Sequence, residues 1–87
     1  MSIDDYIAKQ DIYELSCKYM RALDRLDEAL LRSVFWQDGW CDYGFTQGPA
    51  ADFARFCMEA LATHEANHHM IGNVLIDLNG DEAFGEV

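Results

Sequence analysis

The stretch that decides the fold is Ile12–Asp27, with the sequence IYELSCKYMRALDRLD. Its apolar residues recur at steps of three and four, which is the spacing of one face of an α-helix. They are Ile12, Leu15, Tyr19, Leu23 and Leu26, and Ile7 and Ala22 widen the same stripe. Ser2, followed by Asp5 three residues later, provides an N-cap for this helix. The pattern therefore predicts an amphipathic helix of about 20 residues.

Two shorter helices and a strand are predicted downstream. Asp27 suits the N-cap of a second helix, whose apolar side is Leu30, Leu31, Val34 and Phe35. The stretch Gln37-Asp38-Gly39 breaks that pattern, and Trp40–Phe45 alternates as a short strand does. Gly48-Pro49 predicts a turn, and the proline suits the first turn of a third helix that runs to about Ala62.

The last part of the chain predicts a hairpin. His69–Leu78 is apolar on both faces and is predicted to be a central strand, and Asn79-Gly80 is a strong hairpin signal. Residues 82–87 begin the return strand. Three short strands would leave one sheet edge unpaired, which native proteins avoid. We therefore expect residues 1–87 to form a single α+β domain that is incomplete at its C-terminus or completed by another chain.

Composition limits the class of protein and its partners. The 87 residues are 51% hydrophobic, which is typical of one globular domain. Six Lys and Arg against 16 Asp and Glu give a net charge of -10. Nucleic acid and anionic membrane both require clustered cationic side chains, so neither is expected as a partner.

Cysteine usage and the absence of targeting signals predict a cytoplasmic location. Cys17, Cys41 and Cys57 are far apart and form no C-x-x-C pair, so we expect them to be small buried hydrophobes in a reducing compartment. The N-terminus has no cationic and apolar regions of a secretory signal. No run approaches the roughly 18 apolar residues of a membrane helix.

Two ionisable residues carry the predicted chemistry. Asp24 lies near the C-terminal end of the first helix, where the helix dipole disfavours a carboxylate by about 0.3–1 kcal/mol, so it needs a cationic or N–H-bearing partner. His69 opens the predicted central strand and shares one face of it with Ile71 and Asn73. An imidazole that is oriented by a carboxylate is what a general base requires. The alternatives are a solvated corner aspartate and a core histidine bound by the backbone.

Two tyrosines are the other polar groups able to face the same apolar pocket. Tyr43 lies on the first predicted strand and Tyr19 on the first helix, and each phenol can hydrogen-bond a substrate oxygen. The alternative for each is an ordinary core aromatic whose hydroxyl lies at the rim. Whether His68 or His69 faces the pocket depends on the strand register and stays open.

No metal site or nucleotide-binding motif is predicted. His64 and His68 have metal-ligand spacing only if they lie on a helix, and no third ligand stands at a supporting distance. The sequence contains no phosphate-binding Gly-rich loop, no serine nucleophile elbow and no Cys–His signature. Acid–base chemistry by Asp24 and His69 is therefore the chemistry that the residues favour.

The order of these residues resembles a known family. The elements of the resemblance are Tyr19-x-x-x-Leu23-Asp24-x-x-Asp27, Phe35, Asp42-Tyr43-Gly44, Gly48, His69-x-x-x-Asn73-x-x-Ile76 and Gly80-Asp81-x-Ala83. They resemble the SnoaL-like domain of the nuclear transport factor 2-like superfamily, in the branch that holds scytalone dehydratase, the bile-acid dehydratase and the lindane dehydrochlorinase. The resemblance corresponds to about the N-terminal two-thirds of such a domain.

The resemblance implies a fold and an activity. The fold is a cone, in which a long curved mixed sheet surrounds a cavity that three N-terminal helices close. The activity is that of a lyase or isomerase, such as a dehydratase or dehydrohalogenase, acting on a small hydrophobic, often polycyclic substrate. His69 would remove a proton, Asp24 would orient it, and Tyr43 would polarise or protonate the substrate oxygen, while Tyr19 and Asn73 match substrate-binding positions. No metal or organic cofactor is implied, and homodimers or homotrimers are usual.

Two other functions stay open because the same cone serves several roles. One is a non-catalytic ligand-binding or oligomerisation module, and the other is the small structural subunit of an aromatic-ring dioxygenase, which would need a large partner chain. An Asp24 carboxylate at hydrogen-bond distance from the His69 imidazole and open to a cavity would favour the enzyme. A His69 side chain that points to solvent or is plugged by core aromatics would favour the binding module.

Overall fold

Helix α1 spans Ile3–Asp24 in the computed structural model, which describes residues 2–87. The Ser2 hydroxyl accepts a hydrogen bond from the backbone N–H of Asp5 at 3.1 Å, as an N-cap does. Asp4 and Asp5 in the first turn complement the positive end of the helix dipole. The predicted amphipathic helix and its N-cap are therefore confirmed.

The corner between α1 and α2 is a Schellman motif with an unusual residue. The N–H of Asp27 donates to the Ala22 carbonyl at 2.9 Å, and the N–H of Leu26 donates to the Leu23 carbonyl at 3.3 Å. Leu26 has a φ of 53°, in the left-handed region where glycine is usual at this position. Helix α2 (Glu28–Ser33) follows at once, and its predicted N-cap is confirmed because the Asp27 carboxylate accepts from the N–H of Leu30 at 3.0 Å.

We expect Leu26→Gly to have a free energy of unfolding about 1 kcal/mol above that of Leu26→Ala. A left-handed residue that carries a Cβ is strained by roughly 1–2 kcal/mol, and glycine relieves part of that strain. Both variants remove the same side chain, which is 41% exposed, so their lost burial is matched. Urea unfolding of the two variants measures the difference. Equal stabilities would show that this corner stores no backbone strain.

Strands β1 (Trp40–Asp42) and β2 (Gln47–Pro49) form a short antiparallel hairpin. The predicted first strand is correct at its start but shorter than expected, and the predicted turn at Gly48-Pro49 is wrong because both residues belong to β2. The chain reverses earlier because the Asp42 carboxylate accepts from the N–H of Gly44 at 2.9 Å, and Gly44 takes a left-handed φ of 83°.

Helix α3 (Ala50–Leu61) closes the core against the first two helices. It begins directly after Pro49 and has Ala62 as its C-cap, so the predicted helix is confirmed. The fully or nearly buried core lies where the three helices meet, and consists of Ala22, Leu23, Leu31, Ala54 and Cys57. The backbone N–H of Ala50 donates to the Gly39 carbonyl at 2.8 Å and so ties the start of α3 to the chain before β1.

Strands β3 (Leu75–Asn79) and β4 (Glu82–Glu86) form the second antiparallel hairpin, which confirms the predicted hairpin. Gly80 occupies the first loop position with a φ of 61°, which glycine adopts without strain. The prediction that the strand begins at His69 is wrong. Residues 66–74 have no regular structure, because the β4 ladder reaches only as far as Leu75 and supplies no partner before it.

The α+β class is confirmed, but the strands of residues 2–87 do not form the single curved mixed sheet that we expected. They form two separate two-stranded antiparallel sheets. The sheets lie against different helices, since β1 and β2 contact α3 whereas β3 contacts α1. None of the helices described is both long enough and apolar enough to span a bilayer.

Candidate functional site

The structure brings Asp24 and His69 into direct contact, although 45 residues separate them in the chain. The Nδ1 atom of His69 lies 2.5 Å from Oδ1 of Asp24. The backbone N–H of His69 donates to the other carboxylate oxygen, Oδ2, at 3.0 Å. One carboxylate therefore fixes both the ring and the main chain of the same histidine.

This contact determines which nitrogen of His69 can act as a base. An ionised carboxylate can only accept hydrogen bonds, so Nδ1 carries the proton and Nε2 carries the free lone pair. The hydrogen bond from the His69 side chain lowers the pKa of Asp24, and the bond from the His69 backbone N–H lowers it further. These two bonds also provide the N–H-bearing partner that a carboxylate at a helix C-terminus needs.

The pair lies at an open cleft rather than in a closed apolar hollow. The side chain of His69 is 37% exposed and that of Asp24 is 20% exposed. The expected burial is corrected because His69 lies in the irregular segment before β3 and not on a strand beneath the helices. The cleft has a volume of about 400 Å³ and will be called the dyad cleft. It is lined by Tyr13, Cys17, Met20, Arg21, Asp24, Arg25, His69, Met70 and Ile71.

The two tyrosines are brought together, but at a neighbouring cleft. The hydroxyl groups of Tyr19 and Tyr43 are 2.9 Å apart, and the ring of Tyr43 stacks on Phe53 with centroids 4.5 Å apart. Burial raises the pKa of Tyr19, and the hydrogen bond with Tyr43 raises it further. Burial also raises the pKa of Tyr43, although the same hydrogen bond opposes that effect. Both phenols therefore stay neutral at physiological pH.

This second cleft, called the tyrosine cleft, also has a volume of about 400 Å³. Its lining residues are Ile12, Leu15, Ser16, Tyr19, Met20, Val34, Phe35, Tyr43 and Val87. Met20 lines both clefts, so the two clefts are neighbours on α1. The single pocket that the sequence predicted is therefore two clefts in the structure.

The remaining predicted residues lie apart from the dyad. Asn73 is exposed in the irregular segment, and it is not among the described residues that line either cleft. The strand parity that would have turned it toward His69 does not apply there. His69 rather than His68 contacts Asp24, which settles the choice between the neighbouring histidines. His64 is held by Asn67, with its Nδ1 atom 2.7 Å from the amide oxygen.

Several residues of the dyad cleft were not singled out by the sequence analysis. Tyr13, Cys17 and Met20 are such residues, and they lie at steps of three and four that lead to Asp24, so they share one face of α1 with it. Arg21 and Arg25 line the same cleft at the C-terminal end of α1, beside Asp24. The spacing of these residues indicated a second face of α1, but the more apolar face that packs against the core was the stronger pattern.

Comparison with known proteins identifies one family. The family model described as the SnoaL-like domain matches residues 5–87. No curated protein and no solved structure gives a match. The matched residues include Asp24 and His69 as well as both tyrosines of the second cleft.

Proposed function

Because the chain belongs to the SnoaL-like domain family, we propose that it is a cofactor-independent lyase or isomerase acting on a small hydrophobic substrate. A fold hosts many functions, so the proposal needs support from the site itself. That support is the hydrogen bond between Asp24 and His69 at the wall of an open cleft. The site therefore combines a candidate base, a group that orients that base, and a cleft that can hold a ligand beside them.

In the proposed reaction, Nε2 of His69 removes a proton from a carbon atom of the substrate. The electron pair of the broken C–H bond either forms a double bond as a hydroxide or halide leaves, or moves onto an adjacent carbonyl oxygen as an enolate. Asp24 stabilises the imidazolium that results and holds the ring in place. Return of the proton to a different carbon completes an isomerisation, and its delivery to the leaving hydroxide completes a dehydration.

Tyr43 is proposed as the hydrogen-bond donor to the departing or enolising oxygen, with Tyr19 holding its hydroxyl in position. Two observations support this role. Both phenols keep their protons at physiological pH, so one proton of the pair is available to a ligand. Among residues 2–87, Met20 is the one residue common to both clefts, and a flexible methionine can give way to a substrate that extends past it.

The test is whether the protein catalyses exchange or elimination of protons that are bound to carbon. The chain is incubated in D₂O with a panel of aromatic ketones that have exchangeable α-protons and with the corresponding β-hydroxy ketones, and proton NMR follows both reactions. We expect deuterium incorporation or loss of water faster than with the same concentration of free imidazole, because a positioned base contributes about 10²–10⁴-fold. Binding of these ketones without exchange or dehydration would refute the enzyme and favour the non-catalytic binding module.

A further inference from the structure

The dyad cleft contains two arginines that form no ion pair with a carboxylate within residues 2–87. The ion pairs formed within residues 2–87 are Arg32–Glu28 and His69–Asp24, and neither involves Arg21 or Arg25. The chain has only six cationic residues against 16 acidic ones, yet two of the six line this one cleft.

The helix dipole favours cations at this end of α1, but the dyad does not use them. Arg21 lies in the last turn of the helix and Arg25 is its C-cap, beside the negative end of the dipole. The lowering of the pKa of Asp24 comes from hydrogen bonds with His69 and from the charges of His69 and His68. Both arginines are exposed and are therefore available to a ligand.

The local charge of the cleft is opposite to that of the protein. Its lining carries two arginines against one aspartate, which is a formal charge of +1 with His69 neutral, while the whole chain carries -10. The distant acidic residues are screened over about 8 Å at physiological ionic strength, so the charges that line the cleft act most strongly on a bound ligand.

The rest of the lining is apolar and extends along α1. Tyr13, Cys17 and Met20 lead from the far end of the cleft to the arginines. At a rise of about 1.5 Å per residue, Tyr13 and Arg21 are about 12 Å apart along the helix axis. The cleft therefore has an apolar wall that is about as long as a two- or three-ring hydrocarbon, with cationic groups at one end.

We propose that the dyad cleft binds a small apolar carboxylate, with the hydrocarbon body against Tyr13 and Met20 and the carboxylate on Arg21 and Arg25. A guanidinium matches the geometry of a carboxylate and can bind it through two parallel hydrogen bonds. That such an anion is the substrate of His69 rests on the proposed function, but its binding does not. The geometry thus narrows the substrate class from hydrophobic compounds in general to hydrophobic acids.

The test compares 2-naphthoate with its uncharged analogue 2-naphthamide by isothermal titration calorimetry. The wild-type protein is expected to bind naphthoate about five- to tenfold more tightly, which corresponds to two partly exposed charge contacts. The double variant Arg21→Gln/Arg25→Gln is expected to lose this preference and to bind the amide as before. The control is Lys18→Gln/Arg55→Gln, which changes the net charge equally at two exposed residues outside the dyad cleft and is expected to keep the preference.

Several outcomes would overturn the inference. Equal binding of acid and amide by the wild-type protein, no binding of either, or a preference that survives in the arginine double variant would each do so. Equal loss in the control variant would assign the effect to net charge alone. A preference that depends on the arginines, in a protein that exchanges no carbon-bound proton, would refute the lyase and leave the anion site standing. Proton exchange on neutral ketones, in a protein that does not prefer the acid to the amide, would refute the anion site and leave the proposed lyase or isomerase standing.

Discussion

Replacing His69 with glutamine is expected to lower the rate of proton exchange or elimination by about 10²- to 10⁴-fold. The amide of glutamine can still donate to Asp24, but it has no basic nitrogen to accept a proton from carbon. Because the His69 side chain is 37% exposed, its replacement leaves no buried cavity and the fold should persist. The measurement is the initial rate per mole of protein with whichever ketone the wild-type protein turns over, together with a circular dichroism spectrum.

The control for this variant is His68→Gln. His68 is adjacent in the chain and is also exposed, but it does not form the hydrogen bond to Asp24. We expect this control to retain the wild-type rate. A His69→Gln protein that keeps the full rate, or a His68→Gln protein that loses as much, would show that the base is another residue.

Asp24→Asn is expected to reduce the same rate by up to about 10⁴-fold, although the two side chains have the same shape. An asparagine can present its NH₂ group to the ring and so favour the tautomer in which Nε2 carries the proton. It also lacks the negative charge that stabilises the imidazolium after proton removal. Initial rates test this, with Asp11→Asn on the exposed part of α1 as the charge-matched control that keeps its rate. An unchanged rate in Asp24→Asn would remove the orienting role.

The same variant should reveal the contribution of Asp24 to stability. The hydrogen bonds from the side chain and the backbone of His69 lower the pKa of Asp24 in the folded protein below its ordinary value. Its stabilising effect is therefore fully present above that ordinary value, and it is lost as the pH falls through the lowered folded value. Urea unfolding of wild type and Asp24→Asn should accordingly differ at neutral pH and converge in strong acid. A difference that is constant with pH would show that the carboxylate bonds do not stabilise the fold.

The helices could be read from the sequence because their signals are local. The caps at Ser2 and Asp27 and the three- and four-residue spacing of apolar side chains need no knowledge of distant residues. The pairing of Asp24 with His69 was also predictable, since an acid at a helix C-terminus calls for a partner and the family resemblance indicated which one.

The strands and the shape of the site could not be read in the same way. A strand exists only where a neighbour pairs with it, so the apolar run before Leu75 predicted a strand that the β4 ladder does not support. The separation of Tyr19 from Asp24 was in principle readable, because five residues turn a helix by about 140° beyond one full turn. That angle puts Tyr19 and Asp24 in different clefts.

The two hydrogen bonds that Asp24 receives also determine how this cleft can be redesigned. One carboxylate oxygen serves the imidazole ring and the other serves the main chain of the same residue. Replacing the acid therefore removes, in a single step, a contact of the imidazole ring and a contact of the main chain that carries it. New chemistry is better introduced on the apolar wall of the dyad cleft, at Tyr13 or Met20, where a side chain can change while both contacts of Asp24 stay in place.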